Sequence, residues 1–114
     1  MAAISLENLR KTFGKVVAVN DVSLTIDDGE FVALLGPSGC GKTTTLRMIS
    51  GLESPDSGKI VIGGNDVTVL PPRSRDVAMV FQDYALYPHM TILDNIGYPL
   101  KVRGVSKEEM TAQV

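Results

Sequence analysis

The sequence predicts an α/β chain: part of a phosphate-loop core, with an antiparallel β subdomain at the N-terminus. Three observations carry this. The stretch GPSGCGKTT, Gly36 to Thr44, has the spacing G-x-x-x-x-G-K-[ST]. The apolar run Phe31 to Leu35 precedes it and a helix-like pattern follows it to Ser50, which is strand, glycine-rich loop, helix. Ahead of both lie short alternating segments separated by turn residues, from Ile4 to Ile26.

The loop's residue types dictate its chemistry. Gly39 and Gly41 allow positive φ, which turns successive N–H groups inward into an anion-binding nest. The helix opening near Gly41 adds the positive end of its dipole. Lys42 is a mobile charge able to reach terminal phosphates, and Thr43 offers a hydroxyl to Mg2+, which otherwise takes phosphate oxygens and water. The alternative, a glycine turn that only caps a helix, does not account for the strand and helix flanking the motif. The core is therefore of P-loop NTPase type, and partial.

Bulk properties remove several classes. At 114 residues the chain suits one modest domain, and 44% hydrophobic with 21% charged residues is ordinary for a soluble fold. A net charge of −2 gives no general attraction to nucleic acid, and the only local pair, Arg73 and Arg75, sits beside Asp76. Cys40 is the single cysteine, so an internal disulfide is excluded and a reducing compartment is expected. The opening MAAISLENLRK lacks the apolar core of a signal peptide. No apolar run approaches the ~20 residues of a membrane span, so membrane association is expected only through a partner.

In chain order, Ile4 and Leu6 alternate with polar neighbours, a strand that leaves Phe13 at or just after its end. Gly14-Lys15 is a turn, Val16 to Val19 is apolar, and Asn20-Asp21 reads as a second turn. Val22, Leu24 and Ile26 alternate strictly, a half-exposed strand. Asp28-Gly29 is a turn signal before Phe31 to Leu35. After the loop, Thr45, Met48, Ile49 and Leu52 share one helix face, and Gly51 supplies the stop. Lys59 to Ile62 is a strand, Gly63 to Asp66 its turn, Val67 to Leu70 a continuation, and Pro71-Pro72 a break.

Val77 to Phe81 is continuously apolar, as for a strand buried on both faces, and ends at Gln82. If it runs parallel to Phe31–Leu35, Gln82 lies at the same carboxyl edge as the loop; otherwise it is a polar strand end. Tyr84 to His89 carries apolar and aromatic residues suited either to the core or to a protein contact. Thr91 with Asp94, and Ser106 with Glu109, are capping patterns for two helices, the first ended by Gly97 and Pro99. The chain stops within the second, which predicts a fragment. His89 has no visible carboxylate to orient it and reads as a surface histidine, and Leu24 to Asp28 reads as structural rather than as an acidic strand end. Cys40 lies inside the loop, where amides and Lys42 would favour its thiolate and alkylation would block nucleotide; equally, it reads as a residue that only fills the space.

GPSGCGKTTTLRMISGLESPDSGKIVIGG followed by RDVAMVFQDYALYPHMTILDNI resembles the ATP-binding subunits of ABC transporters, of the sugar-importer (maltose and glycerol-phosphate) type. The likeness runs over nearly the whole chain. It implies ATP and Mg2+ as ligands, with Gly36, Pro37, Ser38, Gly39, Cys40, Gly41, Lys42 and Thr43 as the Walker A loop and Thr44 as a further phosphate contact. Lys42 would hold the β- and γ-phosphates and Thr43 the metal. Gln82 matches the Q-loop glutamine, which contacts Mg2+ and the attacking water, so catalytic roles fall on Lys42 and Gln82. Phe13 matches the aromatic position that stacks on adenine, more often Tyr or Trp. Tyr84 to His89 matches the segment that meets transmembrane permease subunits.

The same resemblance implies a second ATP-binding subunit as partner, no nucleic acid, and a cytoplasmic place, peripheral on the membrane. Residues 1–114 would be the N-terminal portion of the domain, since the signature motif, the Walker B pair and the switch histidine have no counterpart here. ATP hydrolysis driving carbohydrate import is the implied function of the complete dimer, and the segment alone is expected to be inactive. The alternatives are an ABC-type ATPase of DNA repair or translation, or another P-loop nucleotide-binding protein.

Overall fold

A computed structural model of the chain describes residues 2–37, 39, 41–82, 84 and 86–114. It divides into two compact units, Met1–Met79 and Val80–Val114.

In the first unit a four-stranded antiparallel sheet has the order β2-β1-β3-β4. Strand β1 (Ile4–Phe13) turns at Gly14-Lys15 into β2 (Val16–Ile26), with Phe13 paired to Val16 and Ile4 to Ile26. Strand β3 (Ser57–Ile62) lies on the other side of β1, and β4 (Asn65–Asp66) closes the edge. The antiparallel N-terminal subdomain is thus as expected. Asn20-Asp21, however, is not a turn. It lies inside β2, where Asp21 takes φ 54 opposite Asn8 at φ 50, and the Asn8 amide donates to the Asp21 carboxylate at 2.8 Å. Two polar residues in left-handed backbone make an irregularity that keeps the ladder running rather than ending it.

That irregularity builds the core. Leu6 and Leu9 are three apart, so in a regular strand they would face opposite sides. The register shift between them brings both to 1% and 0% exposure. They pack with Val19, Ile60, Ile62, Val67 and Met48. Met48 comes from helix α1 (Lys42–Ser50), whose buried face also holds Thr45, with Ile49 half-buried against the core. Gly51 ends the helix at φ 90, and the Leu52 N–H donates back to the Arg47 carbonyl at 2.9 Å, as expected of the stop. The hairpin after β3 turns at Gly63-Gly64 alone. Asn65-Asp66 is the whole of β4, and the continuation expected through Leu70 is a turn. There the Thr68 side chain ends the ladder: its Oγ1 accepts the Ile60 N–H at 2.9 Å and donates to Asp66, whose carboxyl is held below its usual range by Thr68's hydroxyl and N–H. Pro72–Ser74 is a short 3-10 turn.

The apolar runs Phe31–Leu35 and Val77–Phe81, expected as buried parallel strands, are not strands. Phe31 is 94% and Leu35 91% exposed, and among the described residues neither run has a ladder partner. A strand is a paired state, and an apolar pattern without a neighbour to bond leaves only extended chain.

The second unit holds α2 (Ile92–Val102) and α3 (Lys107–Gln113). The Thr91 and Ser106 hydroxyls accept the N–H groups of Asp94 at 3.1 Å and Glu109 at 3.3 Å, as the capping patterns predict. Gly97 and Pro99 do not end α2. Gly97 is buried under Met110 of α3, whose Sδ would lie 2.6 Å from an added Cβ. Packing between the two helices outweighs both local breakers. No helix among the described residues is long and apolar enough to cross a membrane.

Candidate functional site

The site is built from the first unit. Within the motif, Ser38 and Cys40 lie outside the described residues, as do Asp83 and Ala85 further on. Gly39 takes φ 80 and Gly41 φ 92, the left-handed backbone anticipated for both. At Gly41 the requirement is double: a Cβ there would stand 2.3 Å from the Ala18 carbonyl oxygen of β2. Only glycine lets the loop lie against the hairpin at this point.

Helix α1 starts directly after Gly41 with no side-chain cap and no acidic residue in its first turn. Its first N–H groups have no acceptor within the helix, and no carboxylate competes for them. Lys42 folds back so that its ammonium donates to the Gly36 carbonyl. Thr43 is exposed and Thr44 half-buried. Thr45, next along, is inward: its hydroxyl donates to the Gly41 carbonyl at 2.8 Å and it is 7% exposed. Thr45 anchors the first turn while Lys42 and Thr43 remain accessible. The helix N-terminus and the Lys42 ammonium put positive potential at one end of α1, which suits an oxyanion. Among the described residues no cluster of acidic, His or Cys side chains could hold a metal ion unaided.

Phe13 stands at the end of β1 and is 48% exposed, on the same hairpin whose Ala18 carbonyl meets Gly41. Lys11 lies 5.3 Å from its ring centroid. The fold therefore brings the phosphate loop and the hairpin bearing the aromatic residue together.

Arg75 was not anticipated. It is 4% exposed, and its guanidinium donates to the carbonyls of Met48 at 2.7 Å, Ile49 at 3.2 Å, Leu70 at 2.8 Å and Thr68 at 3.1 Å. It ties the C-terminal end of α1, where the dipole is negative, to the turn after β4. No spacing could have revealed it, because its acceptors are carbonyls that every residue possesses.

Gln82 and Tyr84 to His89 belong to the second unit. Gln82 is exposed in a turn closed by the Tyr84 N–H on the Phe81 carbonyl at 2.9 Å. Asn95 of α2 clasps the following loop, accepting from the Tyr87 N–H at 2.9 Å and donating to the Thr91 carbonyl at 2.9 Å. Tyr87 packs on Tyr98, centroids 5.2 Å apart, with His89 at its edge. Tyr84, Leu86, Ile92 and Ile96 remain exposed.

Comparison with known proteins agrees with this architecture. Residues 19–114 match the ABC transporter family. The chain is 62% identical over 107 residues to the Fe(3+) ions import ATP-binding protein FbpC of Agrobacterium fabrum, covering 94% of this chain and 30% of that protein. It is 56% identical over 120 residues to the trehalose/maltose import ATP-binding protein MalK of Thermococcus litoralis, covering all of this chain and 32% of that protein. A solved dimeric ATP-binding cassette bound to ADP and Pi superposes with a TM-score of 0.83 at 33% identity, over 96% of this chain and 53% of that one. The chain thus spans about a third of the length of the curated relatives it matches. The loop, the hairpin behind it and the match over most of its residues together make this chain a member of the ABC transporter family.

Proposed function

We propose that residues 1–114 are the N-terminal portion of an ATP-binding subunit of an ABC importer, and that their role is to grip the polyphosphate of ATP. The observation that carries this is the α1 N-terminus: free of side-chain caps and acidic groups, with Lys42 folded over the loop. Lys42 holds the β- and γ-phosphates and the first-turn amides the rest, with Thr44 beside them. Phe13 supplies a face for adenine. The exposed Thr43 hydroxyl fits Mg2+ as one ligand, the others coming from phosphate and water. Mg2+ held there would neutralise phosphate charge, and Gln82 would orient water in the complete protein. There the segment Tyr84 to His89 docks on transmembrane permease subunits at the cytoplasmic side of the membrane, and a second ATP-binding subunit completes the site.

Titration calorimetry on this chain tests the core of the reading. ATP is expected to bind, and Lys42→Ala to weaken it at least about tenfold through loss of a charged phosphate contact. Equal affinity for both proteins would overturn it. ATP turnover is expected only in the complete protein.

Carbohydrate is the proposed cargo. Relatives named for iron and for sugar import match at 62% and 56% identity, and residues that handle nucleotide need not follow the cargo. Uptake of labelled disaccharide, but not of ferric ion, lost on deletion of the parent gene is the expected result, and the reverse pattern would assign iron.

A further inference from the structure

We propose that Asp56 and Lys11 are positioning residues for the Phe13 ring, and that they set how well the chain holds a purine base. The inference rests on the reading that Phe13 stacks on adenine. The pairing of β3 with β1 ends at Arg10 and Ser57, so the last residues of β1 have no strand on that side. Asp56 takes over. Its N–H donates to the Arg10 carbonyl at 2.8 Å, and its Oδ2 accepts the Thr12 N–H at 2.7 Å and the Thr12 hydroxyl at 2.9 Å. Lys11 completes the brace, 3.1 Å from Glu53 and 3.6 Å from Asp56, with its ammonium over the Phe13 ring.

Phe13 sits half exposed at the tip of a hairpin, with little packing to fix it. Its orientation therefore depends on where Thr12 is pinned and on the ammonium against its ring. The brace comes from the loop between α1 and β3, Gly51 to Asp56, so the helix that starts at the phosphate loop also carries, at its other end, the groups that hold the aromatic residue. Such a partly exposed network at the edge of the sheet adds little to global stability. Its effect falls on the geometry of one side chain.

The chain has no tryptophan, so Phe13→Trp introduces a single fluorescent reporter. Without ligand, adding Asp56→Ala is expected to lower its anisotropy and raise its quenching by acrylamide. Asp56→Asn, which keeps an acceptor for Thr12, is expected to recover part of the change, and Lys11→Met to reproduce part of it. Unchanged anisotropy and quenching in all three overturns the inference, whatever Phe13 binds. In the second arm, Asp56→Ala in the natural background is expected to weaken ATP about tenfold, as loss of a stacking contact does, while inorganic tripolyphosphate binds as before. Equal loss for both ligands assigns Asp56 a general structural role and overturns the inference. Phe13→Ala separates the two readings: if it leaves ATP affinity unchanged, base stacking by Phe13 fails, and the brace is judged by the reporter alone. Circular dichroism checks each variant, and Asp56→Asn and Lys11→Met decide the matter if Asp56→Ala does not fold.

Discussion

Gly41 is held between two demands, a left-handed φ of 92 and the Ala18 carbonyl where its Cβ would be. An L-residue there pays the conformational penalty and pushes on backbone that cannot rotate away. Gly41→Ala is expected to cost at least about 2 kcal/mol in urea unfolding. Gly39, with φ 80 but open space around it, should lose only about 1 kcal/mol on the same change. Arg75→Met takes the side-chain donor from the carbonyls of Leu70 and Thr68 and leaves Met48 only the Gly51 N–H, an expected loss of about 2–4 kcal/mol. Arg75→Lys should restore little, since an ammonium cannot reach acceptors spread around a planar fork. Equal stability of Arg75→Lys and the parent would count against that account.

Among the elements, the β1 end and its brace respond to pH. The Asp56 carboxyl is held below its ordinary value of 3.8, first by the Thr12 N–H, then by the Thr12 hydroxyl and, less, by Lys11. The brace is therefore intact above that value and lost as pH falls through the lower folded one. Glu53 is the other charged group facing Lys11. At the alkaline end Lys11 is raised above 10.5, chiefly by Glu53, so its part persists to that pH and fades above it. Acrylamide quenching in the Phe13→Trp protein is expected to rise only at these extremes; a midpoint near neutrality would contradict the assignment. Helix α2 gives a separate test. Gly97→Leu should displace Met110 and expose the amides of α3 to hydrogen exchange while leaving β1 to β3 protected. Caps and glycine turns were legible in the sequence because each is a rule about two or three neighbouring residues: Thr91, Ser106, Gly14, Gly51 and Gly63 all do what their types imply. The bulge joining Asn8 to Asp21 was not, since it depends on two strands meeting. Nor was the continuation of α2 through Pro99, which needed Met110.

At the scale of the whole molecule, the left-handed glycines of the loop, Gly39 and Gly41, were readable from its spelling, whereas the two apolar runs were readable only as strands awaiting neighbours. Phe31, Leu35 and Val80, at 94%, 91% and 82% exposure, give this chain adhesive surface. Concentration-dependent self-association is expected in sedimentation, reduced by Phe31→Ser with Leu35→Ser; a monodisperse parent at high concentration would refute it. Along the chain the loop runs into α1 on one side and, on the other, into Phe31–Leu35, which has no ladder partner among the described residues. A polypeptide laid along that segment would steady the loop, and linkage would make the effect mutual. On the proposed reading, by whatever factor docking of such a polypeptide tightened ATP, ATP would tighten the docking.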